Sequence, residues 1–132
     1  MNAALIALAL LAAEPTKTTP ADMLLTCYFN DARVDATLLH HVVEVRGKVA
    51  NIGRDGLGSY VLRMDDELHT NRFQARISVH CQFDAAAREA LSKVRLGQEI
   101  VVRGIVRQVV DDAHRYVDGN VQVTMKQCEL VP

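Results

Sequence analysis

Tryptophan is absent, and aromatic residues make up only 5% of the chain. Proteins that grip single-stranded nucleic acid place rings under successive bases, so this scarcity argues against a stacking platform. No excess of one charge is present either. Fifteen Lys and Arg against sixteen Asp and Glu give a formal net charge of -1. Non-specific DNA binding draws on a basic surface, which this balance does not supply, although a local patch stays open. No CxxC pair occurs among Cys27, Cys81 and Cys128, which argues against a zinc ribbon or a thioredoxin-like redox site. No serine sits in a nucleophile-elbow pattern. No apolar run is long enough to cross a bilayer as a helix, which needs about 20 residues.

The 132 residues are 49% hydrophobic and suit one domain with one core. Ala3–Ala13 is an unbroken apolar run followed by Glu14-Pro15. Its length fits the apolar region of an export signal. Against that, no Lys or Arg precedes it, and Leu11-Ala12-Ala13 matches an A-x-A exit only loosely. The alternatives are a helix packed on the domain or a start site placed too far downstream. Residues 1–19 are therefore expected to form a leader and linker, and residues 20–132 the folded domain. Thr19 is placed to cap a helix with Pro20 at its first position and Asp22 in its first turn, running from about Pro20 to Arg33. Met23, Leu24, Cys27 and Tyr28 recur at helical spacing, so Cys27 reads as a buried small apolar group rather than a nucleophile. Asn30-Asp31 and Asp35 mark a loop into the first strand.

The central stretch is His41–Gly53. Val43, Val45 and Val49 alternate with Glu44, Arg46 and Lys48, as in a half-buried strand. Gly47 falls on the apolar side, which suggests a bulge, a bend or close backbone approach. Arg54–Gly58 reads as a turn. A second strand, about Ser59–Asp65, carries Tyr60, Leu62 and Met64 inward. Asp65-Asp66-Glu67 and His69–Asn71 read as a solvated loop; the acids lack the ligand spacing of a calcium loop. The third strand, about Arg72–Phe83, alternates most cleanly: Phe73, Ala75, Ile77, Val79, Cys81 and Phe83 against Arg72, Gln74, Arg76, Ser78, His80 and Gln82. Asp84 then caps a helix from about Ala85 to Val94, with Ala87, Ala90, Leu91 and Val94 as its apolar stripe. A fourth strand, about Glu99–Gln108, turns Ile100, Val102 and Val106 inward, with Gly104 on their side. Val109–Gly119 reads as a long loop. The last strand, about Asn120–Leu130, changes side between Met125 and Cys128, which calls for a bulge near Lys126-Gln127.

Strand, strand, strand, helix, strand, strand, with one helix in front, predicts a mainly-β fold: a five-stranded OB-fold, a small Greek-key barrel, with its internal helix plugging the barrel between strands three and four. An open antiparallel sheet covered by two helices is the alternative. The chain also resembles the tRNA-anticodon-like OB-fold family of bacterial proteins, often exported or membrane-anchored, from about Ala21 to Val131. The matching pieces are Ala21-Asp22, Val43–Val49, Ile52–Asp55, Val79–Phe83, Leu96–Gly104 and Cys128-Glu129-Leu130. The resemblance implies a barrel and little chemistry. The lipidated cysteine of many relatives has no counterpart here: Cys27 follows Leu24-Leu25-Thr26, beyond the polar break Glu14–Pro20.

OB-folds bind on the outer face of strands two and three. Here that face would carry Val61, Arg63, Arg72, Gln74, Arg76 and His80, whose arginines suit phosphates or carboxylates; the alternative is a solvated polar face on which Asp65, Asp66 and Glu67 balance the arginines. The expected function is non-enzymatic binding of a protein or an oligomer in the bacterial envelope, the periplasm if Ala3–Ala13 is a signal and the cytoplasm if it is not. Single-stranded nucleic acid is the alternative ligand. No cofactor or metal is implied. His40 and His41 would point to opposite faces of a strand, and so would His80 and Cys81. Cys81 and Cys128 fall on strands that are neighbours in many OB barrels, so a disulfide is open, as are two reduced core thiols.

Overall fold

The computed structural model describes residues 14–70, 74–111 and 118–132. Arg72, Phe73 and the apolar run Ala3–Ala13 lie outside the described residues, as does most of the loop expected after Val109. The strands are β1 (Thr16–Thr18), β2 (Val42–Arg54), β3 (Tyr60–His69), β4 (Gln74–Phe83), β5 (Glu99–Asp111) and β6 (Asp118–Val131). The main helix is α1 (Pro20–Phe29), and α2 (Arg88–Ser92) follows a 3-10 turn, Ala85–Ala87.

Strands β2 to β6 are the five expected from the sequence, and they close. β2 runs antiparallel to β3, β3 to β4, and β5 to both β6 and β2, while β4 pairs with β6 in parallel. This is the OB-fold barrel. β2 serves two neighbours because it is long and irregular: Val42–Lys48 pairs with β5, and Val49–Arg54 with β3 across a bulge at Ala50. The link from α2 into β5 completes that seam, with Gly97 N donating to Val49 O at 2.7 Å and Val49 N to Gln98 O at 3.0 Å.

The alternating residues fill the interior. Val45, Leu62, Met64, Val79, Cys81, Val102, Val123 and Met125 are all fully buried in one cluster. The two strand glycines sit where other elements press in. A Cβ at Gly47 would lie 2.9 Å from Met64 Sδ and 3.1 Å from Pro20 Cγ of α1; one at Gly104 would lie 2.7 Å from Cys128 Sγ. The expected bulge in the last strand is present. β5–β6 register slips between Arg103–Glu129 and Ile105–Lys126, and Gln127 takes a φ of 53°. A second slip, at Arg107 on β5, restores the alignment.

Several boundaries differ from expectation. The stretch Glu14–Thr19 is not merely a linker, since Thr16–Thr18 pairs in parallel with Val43–Val45, the part of β2 that β3 does not reach. The leading helix stops at Phe29, and Asn30 caps a new start, Asp31–Arg33, that runs into a π-helical turn, Val34–Leu38. The loop expected at Asn30–Asp35 is therefore helical, because the Asn30 side chain accepts from Arg33 N at 3.0 Å and restarts the helix. Asp65–Glu67 and His69 belong to β3 rather than to a loop, since β4 pairs with them as far as His69–Gln74. Finally, the larger helical plug is α1, which buries Pro20, Met23, Leu24 and Cys27, whereas α2 buries Leu91 alone.

Candidate functional site

Alternation in β3 and β4 puts Leu62, Met64, Ala75, Ile77, Val79, Cys81 and Phe83 in the core and turns the intervening side chains outward. Register then arranges the outward residues in rows. Asn51 of β2, Arg63, His80 and Thr124 of β6 form one row; Asp65, Ser78 and Gln122 the next; Glu67, Arg76 and Asn120 the third. Arg63, Gln74, Arg76 and His80 are thus brought onto one face, as the sequence predicts, while Arg72 lies outside the described residues.

The charges on this face are already matched. Arg63 Nε lies 3.1 Å from Asp65 Oδ1, and Arg76 Nε lies 3.5 Å from Glu67 Oε2, which also meets His69 Nε2 at 3.3 Å. Extending β3 past Asp65 brings these carboxylates beside the arginines. A hollow of about 670 Å³ opens there, lined by Asp65, Asp66, Glu67, Arg76, Ser78 and Asn120 among others. Partial burial, with the Arg63 guanidinium opposite, lowers the pKa of His80 despite the opposing pull of Asp65. The shift favours the neutral imidazole, which offers one ring nitrogen as donor and the other as acceptor. The result is a face of amides, hydroxyls, paired charges and one imidazole, with no Phe, Tyr or Trp on these rows.

Sequence reasoning missed the contribution of Gln122 and Thr124. Their alternation with Val121, Val123 and Met125 is visible, but the parallel pairing that sets them beside β4 is not. It set Asp65 and Glu67 against the arginines but read them as loop, because acids are poor strand formers.

A second groove, of about 740 Å³, lies near the bulged stretches of β5 and β6, between the Asp55–Ser59 turn and the helical segment after β4. Leu57, Phe83, Ala87, Arg107, Cys128 and Leu130 are on its walls. The neighbouring Cys128 thiol, together with burial, holds the Cys81 thiol well above its ordinary pKa, and all three cysteines are free thiols in the structure. Among the described residues no group of three or more His, Cys, Asp or Glu is placed to hold a metal ion, and no helix is long and apolar enough to cross a membrane.

The chain is similar to solved structures, among them these two. A lipoprotein from Klebsiella pneumoniae, with a suggested nucleic acid-binding role, aligns over 89% of this chain and 92% of its own, at 21% identity and a TM-score of 0.60. An OBody bound to hen egg-white lysozyme aligns over 71% of this chain and 84% of its own, at 15% identity and a TM-score of 0.44. No curated protein is similar enough to match. The tRNA_anti-like family pattern matches residues 9–124. With the closed barrel present and the match covering most of its length, this chain belongs to the tRNA_anti-like family.

Proposed function

We propose that this protein is a non-catalytic OB-fold module that binds a protein partner, one presenting basic and hydrogen-bonding side chains, through the outer face of β3, β4 and β6. The observation that carries this reading is the pairing of Arg63 and Arg76 with Asp65 and Glu67 beside a hollow that three carboxylates line. Phosphates approaching that hollow would meet Asp65, Asp66 and Glu67, and like charges brought together are costly. A lysine or arginine would find acceptors, and an amide or hydroxyl would find Ser78, Gln122 and Thr124. An envelope location goes with this reading: the Klebsiella relative is a lipoprotein, and Ala3–Ala13 has the length of an export signal.

The test is site-specific photo-crosslinking in the host, with the reactive group at Gln74 or Ser78 on the face and at Glu89 on α2 as control. A discrete adduct from the face positions and none from Glu89 is the expected outcome. Equal labelling from both regions, or none from either, would overturn the assignment.

Single-stranded nucleic acid is the second reading, favoured by the role suggested for the Klebsiella protein. Its signature is tight oligonucleotide binding that weakens steeply with salt, because phosphate neutralisation releases counterions. The charge pairing on the face leads us to expect no such binding.

A further inference from the structure

We infer that Cys81 and Cys128 are a disulfide-forming pair, with Cys128 the thiol that meets the oxidant and Cys81 the thiol that completes the bond. Three features place them. Cys81 is fully buried on β4, in register with Met125 of β6, and Cys128 lies three residues further along β6. The Gln127 bulge, with its φ of 53°, reverses the side on which β6 presents its side chains and turns Cys128 toward the barrel. Gly104 makes room for the sulfur, since a Cβ there would stand only 2.7 Å from Cys128 Sγ. The two thiols are neighbours: Cys128 Sγ and the side chain of Met125, the register partner of Cys81, both press on the Gly104 position.

Access differs between the three cysteines, and this sets the order of events. Cys128 is half-buried and forms part of the wall of the groove of about 740 Å³. Cys81 and Cys27 are both closed to solvent. The oxidant is a small disulfide, of the glutathione disulfide class. The Cys128 thiolate attacks one of its sulfurs, forming a mixed disulfide and releasing one thiol. Cys81 then attacks the Cys128 sulfur, its proton passing to the departing sulfur, which leaves as the second thiol. Two protein thiols are oxidised to one disulfide, and one small disulfide is reduced to two thiols. The bond ties the final strand to β4, across the parallel pairing that closes the barrel.

The experiment treats the reduced full chain with excess oxidised glutathione, then counts thiols after unfolding and maps the linked peptides. Two of the three thiols should be lost, with a Cys81–Cys128 peptide recovered and Cys27 still alkylatable. In Cys81→Ala the reaction should halt with glutathione attached at Cys128. Three surviving thiols, a lasting glutathione adduct on the wild-type protein, or any linkage through Cys27 would overturn the inference. The wild-type thiol count decides the matter whether or not the Cys81→Ala variant folds.

Discussion

Cys27 and His80 show how surroundings set chemistry that residue type leaves undetermined. Burial, with Asp111 and Asp31 nearby, pushes the Cys27 thiol up to about 12, so almost no thiolate exists at neutral pH. Iodoacetamide applied to the native reduced protein should leave Cys27 untouched and modify it only after denaturation; alkylation at Cys27 in the native state would contradict the burial described here. His80 behaves in the opposite sense because it is a base. Its folded pKa lies below the ordinary 6.5, so the unfolded chain takes up the proton first as pH falls. The stability linked to neutral His80 is complete above pH 6.5. It drains away as pH drops from there through the lower folded value. Thermal unfolding of His80→Gln and wild type between pH 8 and pH 5 should show a shallower acid decline for the variant; parallel curves would remove His80 from the account. The type of each residue was legible in the sequence, and Cys27 was read as buried from its helical spacing. The imidazole's state was not, because it follows from partial burial and from Arg63 facing it on another strand.

Helix starts and strand interiors follow local rules, and these read well from sequence. Thr19 accepts from Asp22 N at 3.2 Å and Asp84 from Ala86 N at 3.0 Å, as cap residues do. Thr19→Ala should cost about 1 kcal/mol, the usual worth of such a cap, measured by denaturant unfolding. Element ends read less well. β3 continues four residues past Asp65 because β4 offers it a partner, an influence with no local signature. β1 likewise exists only because Val43–Val45 has an edge that β3 leaves open. The bulge at Gln127 and the glycine at 104 were each visible alone, but their joint purpose was not. Gly104→Ala would thrust a methyl group against Cys128 Sγ and to 3.0 Å from the Lys126 carbonyl. Overpacking of this kind costs about 1–3 kcal/mol. The same substitution should slow the oxidation of Cys128, followed by the thiol count. An unaltered unfolding midpoint would show that the strands yield there at little cost.

The barrel as one object rests on the shared centre into which Val45, Leu62, Val79 and Val102 point. Removing Leu62 to Ala should cost about 2–5 kcal/mol, the range for a fully buried leucine, read from the shift in a urea transition. The binding face is a property of the same closure. Matched charges on β3 and β4 lead us to expect that a labelled single-stranded oligonucleotide shows no salt-sensitive anisotropy change with this protein. A steep salt dependence at micromolar protein would instead favour the nucleic-acid reading. Sequence by itself determined which residues face the core, where helices begin and that five strands surround one interior, because alternation and capping act over a few neighbouring residues. Only the tertiary structure decided that the balancing carboxylates sit on β3 itself, paired with Arg63 and Arg76, that β6 widens the face, and that Cys81 and Cys128 are neighbours. Those facts depend on register between strands far apart in the chain, and register is settled by the packing of the whole core rather than by any segment within it.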